Sequence, residues 1–384
     1  MPGFLSNITL EPNPIEQRRA ARVASGLRLI DLTDSNPTSC GVMFPNDILR
    51  AAADRYLSNR TYAPDARGLE RARISISEWY RARTPSLHVS PENIFLTAST
   101  SESYALLFSL LADAGDHFLF PDVSYPLFEH LAHHQRVEGV AYHLDPTDWS
   151  IHEASVLASA SERTRGVVLI SPHNPTGSVY RNASNAIERI GVPLIVDEVF
   201  APLTADALGA PPVGALHPHL PVFHLNGISK MFALPDLKLG WIAMNDRAAE
   251  QYADRLAVLN DAFLSSSSLA QSLVPELFSE RGLSFVEAVR VSHRRKMERA
   301  TRVLNDSGNW ECSVPDGGAF LFPRYLHDID EDELVCELID RGVFAYPGYY
   351  FGEKLGARVF LSTLLPDARL DEAVGILAAF SKGH

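Results

Sequence analysis

Asn226-Gly227-Ile228-Ser229-Lys230, continued by Pro235-Asp236-Leu237-Lys238-Leu239-Gly240-Trp241, is the stretch on which the reading of this chain turns. One lysine follows a small, turn-forming run and precedes a Gly-Trp pair. Taken alone, such a lysine is a surface residue on a loop, where most lysines are found. A buried lysine is costly unless something uses it. The residues upstream decide between the two. Asn174 stands in Ser171-Pro172-His173-Asn174-Pro175-Thr176-Gly177, and Asp197 follows the apolar run Pro193-Leu194-Ile195-Val196. Tyr125 lies in Ser124-Tyr125-Pro126, and hydroxyls cluster from Thr97 to Ser101. An amine, an acid at a strand end, an amide and a stacking ring are the set that a pyridine aldehyde cofactor requires.

Working outward, the chain alternates between strand and helix patterns. Strands are predicted at 93–97, 117–121, 166–170, 193–196, 222–225 and 241–244, with a helix at 101–112 for which Ser101 is the expected N-cap. The run at 193–196 is wholly apolar, which suits a sheet covered on both faces. Strands alternating with helices imply an α/β fold whose large domain holds a mostly parallel, doubly wound sheet. Residues 256–303 read as long helix without strands, a bridge between two lobes. From Trp310 the pattern becomes a smaller α/β lobe, with strands at 319–322, 343–345 and 359–361 and helices at 332–340 and 370–380. Residues 1–30 read as a polar arm ending in a helix near 15–27, followed by a short strand and the turn at Asn36-Pro37. A helix is expected after Tyr62-Ala63-Pro64-Asp65-Ala66-Arg67-Gly68-Leu69, through about Arg83. The expected division is a large cofactor-binding domain at 46–275 and a small domain made of 1–45 with 276–384.

Composition bounds the function. At 384 residues the chain buries a large core, and a formal charge of -13 argues against a nucleic-acid surface. Cys40, Cys312 and Cys336 are far apart and without CxxC spacing, which fits a reducing compartment and no metal site. The N-terminus shows no basic segment followed by an apolar run, and no stretch approaches a membrane span, so a cytoplasmic protein is expected.

Each candidate has an ordinary reading beside the chemical one. Thr97-Ala98-Ser99-Thr100-Ser101 either caps a helix or offers its N-terminus to a phosphate. Asp197 is either a loop acid, as its neighbour Glu198 is, or the partner of a buried cation. Asn174 either closes an Asx turn or donates to a phenolic oxygen. Tyr125 either packs in the core or stacks on a heteroaromatic ring. Their order and spacing in one chain favour the chemical readings jointly.

On these residues the chain resembles the fold type I pyridoxal 5′-phosphate enzymes, in the class I/II aminotransferase group. The resemblance runs from Asn36-Pro37-Thr38 to Leu361-Ser362 and is most specific at Asn174-Pro175-Thr176-Gly177, Asp197-Glu198-Val199-Phe200 and Ser229-Lys230 with Leu237 to Trp241. It implies that Lys230 carries the cofactor as a Schiff base and that Asp197 pairs with the pyridine nitrogen. It further implies that Asn174 donates to the ring oxygen, that Tyr125 stacks on the ring, and that Ser99, Thr100, Ser101 and Ser229 hold the phosphate. Tyr62 would reach the phosphate of a neighbouring subunit, which implies a homodimer with shared sites. Lys230, freed when substrate replaces it, would move the proton at the substrate's α-carbon.

Three positions depart from that family's pattern. Phe200 stands where tyrosine is usual, and Lys238 where an arginine forks onto the phosphate, a substitution that loses bidentate geometry. Phe360 stands where the carboxylate-binding arginine is expected, with Arg358 the nearest replacement. Residues two apart on a strand share a face, ~6.6 Å along it, so Arg358 is expected to act as the substrate fork unless it is a rim arginine in solvent. Asn36 is the other expected substrate contact. The expected activity is transfer of an amino group between an L-amino acid and a 2-oxo acid, with a lyase reaction such as β-elimination on the same cofactor as the alternative. A regulator built on this fold would carry a DNA-binding domain ahead of it, and the resemblance begins too early to leave room for one. No GxGxxG follows a strand, which disfavours a dinucleotide enzyme.

Overall fold

The apolar runs build one seven-stranded sheet. In this computed structural model, which describes residues 11–58, 60–204, 209–264, 266–352 and 356–381, its order is Ile94–Thr97, Gly240–Met244, Val222–Gly227, Leu194–Asp197, Thr164–Ile170, His117–Pro121 and Glu138–Tyr142. All neighbours are parallel except Gly240–Met244, which runs antiparallel to both strands beside it. The central strands are buried at every position, as expected for a sheet covered by helices on both faces. The edge strand Glu138–Tyr142 is mostly exposed and carries no apolar run. The first ten residues of the expected N-terminal arm lie outside the described residues.

The parallel strands all deliver their C-terminal ends to one edge of the sheet. In such sheets ligands bind outside those ends. Asp197 is the last residue of its strand, and Val222–Gly227 runs directly into the short helix Ile228–Met231 that carries Lys230. Gly227 and Gly240 let the backbones close here. A Cβ on Gly227 would lie 2.8 Å from the Leu239 carbonyl oxygen, and one on Gly240 would lie 3.0 Å from the Ser99 carbonyl carbon. The Gly-Trp pair is therefore a packing requirement, with Trp241 wholly buried behind it.

A second core joins both ends of the chain. Ile15, Ile30 and Leu32 pack with Met297, Leu304, Val343 and Leu377, and Ile30–Asp31 pairs in parallel with Val343–Phe344. The helix Glu280–Asp306 spans the two regions: Val286 belongs to a core of the large sheet, and Met297, Ala300 and Leu304 to the smaller one. The stretch read as one long helical pattern is three helices, Asp246–Ala262, Ser268–Leu277 and Glu280–Asp306, the first starting ten residues before the expected position. Asn245 caps it, accepting from the Ala248 amide.

Candidate active site

A cavity of 510 Å³ opens at the carboxyl ends of the central strands. Ser99, Thr100, Ser101, Tyr125, Asn174, Asp197, Ser229 and Lys230 all line it. They come from five separate stretches of the chain, and the sheet topology is what brings them together.

The phosphate end is built by local capping. Ser99, not Ser101, is the N-cap of the helix Thr100–Leu111. Its hydroxyl accepts from the Glu102 amide at 3.1 Å, while the Glu102 carboxylate reaches back to the Ala98 amide. This is a capping box shifted by one residue, written in the sequence as Ser99-Thr100-Ser101-Glu102. The amides of Thr100 and Ser101 lie in the first turn, where no intrahelical acceptor exists, and they join the positive end of the helix dipole. Both residues line the cavity, as does Ser229.

Asp197 is buried. Its Oδ1 accepts from the Val199 amide at 3.1 Å and its Oδ2 from the Tyr104 hydroxyl at 3.2 Å. Burial lifts the carboxyl to about 6, against the lowering effect of those two bonds and of Lys230. Lys230 is shifted the other way, its pKa lowered by burial, with Asp197 opposing. Its Nζ lies 3.5 Å from the Ser35 carbonyl oxygen. An acid and an amine thus face one cavity, each driven by burial toward its neutral form. Tyr104 was not singled out from the sequence. It sits one helical turn after Thr100 and Ser101, and a buried tyrosine hydroxyl needs a partner.

Asn174 presents a buried Oδ1 that has no hydrogen-bond partner among the described residues. A buried amide atom left unpaired is costly, so its position on the cavity wall marks a place for a ligand atom; as placed, Oδ1 would accept there, and a flip of the amide puts the donor Nδ2 at the same point. Tyr125 is 42% exposed and packs edge-on against Phe128, at 6.0 Å and 81°. A buried acid, an amine, an unpaired amide, a ring and a helix N-terminus fit pyridoxal 5′-phosphate group by group.

Three residues expected at this subunit's own site, Asn36, Arg358 and Lys238, do not line the cavity. Asn36 is exposed, and its Oδ1 is taken by the Thr38 amide at 3.1 Å and the Thr38 hydroxyl at 2.8 Å, so it closes an Asx turn. Thr33 and Ser35 line the cavity from that segment instead. Arg358 does not line the cavity. Its Nη1 donates to the Phe322 carbonyl at 3.0 Å, and its guanidinium lies over the rings of Trp149 and Phe322 at 5.1 and 5.5 Å. The regular strand begins only at Val359, and the aromatic pair draws the side chain outward, while Phe360 faces the cavity. Lys238 is exposed at a left-handed backbone position, φ 51°, and its neighbour Leu239 faces inward. Tyr62, 72% exposed, lies outside this subunit's own cavity.

Behind the site lies a second polar cluster that the sequence reading left as a neighbour of Asp197. Glu198 is buried and binds Arg83 at 2.7 Å, with the Tyr80 hydroxyl donating at 3.2 Å. His224 Nε2 accepts from the Gly214 amide at 3.3 Å, which leaves the ring proton on Nδ1, 3.1 Å from Glu198 Oε1 but poorly aligned for a hydrogen bond. Burial alone would raise Glu198, but Arg83 and His224 hold it at about 2.

The family described as "Aminotransferase class I and II" matches residues 29–377. The chain is 26% identical over 342 residues to the glutamate-pyruvate aminotransferase AlaA of Escherichia coli (strain K12), covering 85% of this chain and 84% of that protein. It is 25% identical over 335 residues to nicotianamine aminotransferase B of Hordeum vulgare, covering 83% of this chain but only 60% of that protein. Among solved structures, the alanine aminotransferase of Pyrococcus furiosus superposes with a TM-score of 0.86 at 21% identity, covering 95% of each chain. The match over nearly the whole length, on a sheet that gathers these side chains at one edge, places this chain in the class I and II aminotransferase family, whose members work with pyridoxal 5′-phosphate.

Proposed function

We propose that Lys230 is the residue that carries pyridoxal 5′-phosphate and that Asp197 is the partner of its ring nitrogen. The observation that carries this reading is the meeting of those two side chains in one buried cavity, with burial raising Asp197 to about 6 and lowering Lys230. A cationic ring nitrogen offsets the buried carboxylate, which then keeps that nitrogen protonated. When bound, the cofactor supplies a sink for the electron pair left on the substrate's α-carbon.

The chain's own groups do the rest. Asn174 would donate to the ring oxygen through Nδ2, Tyr125 would cover one ring face, and Ser99, Thr100, Ser101 and Ser229 would hold the phosphate at the helix N-terminus. Tyr104 orients Asp197 through its hydroxyl. Lys230, kept toward its neutral form by burial, takes the α-proton and returns it. The amino group and two electrons pass from amino acid to 2-oxo acid, whose carbonyl oxygen is exchanged for it. Purified protein is expected to bind the cofactor stoichiometrically. Asp197→Ala should lower turnover by at least a hundredfold while retaining cofactor; activity within tenfold of wild type argues against this role.

Tyr62 is assigned to the phosphate of a partner subunit's site, within a homodimer. Its exposure supports this, as does the exposure of Val258, Phe263 and Leu264 at the end of the helix Asp246–Ala262. Asn260 Nδ2, 2.7 Å from the Ala66 carbonyl oxygen, ties that helix to the segment after Tyr62. An exposed apolar surface of this kind marks a docking site. The division into 46–275 and 1–45 with 276–384 is retained as the pair of units whose relative motion would admit substrate. No described helix is long and apolar enough to cross a membrane, and a cytoplasmic location fits the free cysteines.

A further inference from the structure

Part of the cavity lining is a continuous wall of rings. Phe200 meets Phe320 edge-on at 5.2 Å, Phe320 meets Phe360 at 4.7 Å, and Phe360 meets Phe351 at 4.7 Å in a stacked pair. Tyr346 stacks on Phe360 at 6.3 Å. All five residues line the cavity. Among the described lining residues, Lys230 is the sole cation, and the cofactor uses it. Arg358 is held against Phe322 and Trp149, outside the cavity. A side-chain carboxylate placed against these rings would find no free cation among this subunit's described lining residues, which disfavours it relative to an apolar side chain, while the α-carboxylate is common to all substrates and does not distinguish them. An apolar side chain would gain from the same surface, and a ring gains further from edge and offset contacts.

We propose that this wall selects the amino acid: the substrate carries an uncharged, apolar side chain, best an aromatic one, packed on Phe360, and acidic side chains are disfavoured. The assignment rests on the aminotransferase reading of the cavity and adds the substrate class to it. Phe360 is the specificity-determining residue because it is the ring in contact with three others and stands at the centre of the wall.

The test compares two unreactive ligands that share one carboxylate and differ at the far end, 3-phenylpropanoate and glutarate. Each is titrated calorimetrically into the holoenzyme at neutral pH. The phenyl ligand is expected to bind at least tenfold tighter. In Phe360→Arg, which places a guanidinium on the wall, glutarate should become the tighter ligand. Where arginine prevents folding, Phe360→Leu serves, with an expected fall of at least threefold in the wild-type preference. Glutarate binding wild type as tightly as 3-phenylpropanoate overturns the proposal, and so does a preference unchanged in the folded variant. Failure of the underlying reading is seen separately, as purified protein that takes up no pyridoxal 5′-phosphate; the same titration on that protein still reports what the wall prefers.

Discussion

Asp197 and Glu198 are adjacent in the chain, yet they serve opposite sides of the sheet edge and are displaced in opposite directions. Asp197 faces the cavity and is raised by burial to about 6, while Glu198 faces Arg83 and His224 and is held at about 2. Asp197 has only Lys230, itself pushed by burial toward its neutral form, whereas Glu198 has Arg83 at 2.7 Å. The first is therefore available to a ligand and the second is structural. The Glu198 carbonyl also accepts from Asn226 Nδ2 at 2.9 Å, which ties the strand carrying Asp197 to the strand leading to Lys230.

The Asp197 shift makes a signed prediction for the apoprotein. Its folded pKa of about 6 lies above the ordinary 3.8, so the folded state holds its proton longer. Stability therefore falls as pH rises from about 4 to 6, by up to about 3 kcal/mol, and stays low above that. Denaturant titrations of apoprotein across this window should show that slope, and Asp197→Asn should lack it. Parallel curves for the two proteins would remove the buried-charge account.

Glu198 has the opposite sign. With a folded value of about 2 against the ordinary 4.5, it stabilises above pH 4.5, and that contribution is lost as pH falls toward 2. Arg83→Met leaves the buried carboxylate short of its main partner and should cost about 3–5 kcal/mol at pH 7. The gap to wild type should narrow below pH 4.5. A variant within 1 kcal/mol of wild type at neutral pH, on the scale of an exposed pair, would show that the cluster is not holding the sheet edge.

Arg358 gives a test of a corrected expectation. Since its guanidinium is engaged by the Phe322 carbonyl and two aromatic rings, Arg358→Lys should leave KM for amino acid and oxo acid within about threefold. Its cost should appear as stability, about 1–2 kcal/mol from the lost stacking and hydrogen bond. A tenfold rise in both KM values would return the carboxylate to Arg358.

Tyr62 is tested by subunit mixing. Tyr62→Ala and Lys230→Ala homodimers should each be severely impaired. Coexpressed, their heterodimer has one site with Lys230 from one chain and Tyr62 from the other, and activity should recover toward half of wild type. No recovery in the isolated heterodimer would place Tyr62 outside the partner's site.

What the sequence disclosed follows from what each element needs locally. The buried strands 117–121 and 194–197 are built on the apolar runs 118–121 and 194–196, and their burial leaves no alternative. The edge strand Glu138–Tyr142 and the helix Asn46–Ser58 escaped notice, the strand because four of its five residues are not buried and the helix because it buries only Ile48 and Ala52. At the site, residues flagged by turns and strand ends came together because parallel topology collects strand ends at one edge. Those requiring a direction did not follow from spacing. Asn36 turned to the amide of Thr38, two residues on, and Arg358 turned toward the rings of Trp149, 209 residues away, and Phe322, 36 residues away. Tyr104 was hidden because its partner, Asp197, is 93 residues distant.

The most direct test of the central claim is reduction of the holoenzyme with borohydride, followed by proteolysis and mass spectrometry. Wild type should yield a single peptide carrying the reduced cofactor on Lys230, in the run Asn226-Gly227-Ile228-Ser229-Lys230. Lys230→Ala, folded as judged by an unchanged far-UV spectrum and Tm, should yield none. Cofactor fixed to another lysine in wild type, or still fixed in Lys230→Ala, would contradict the assignment.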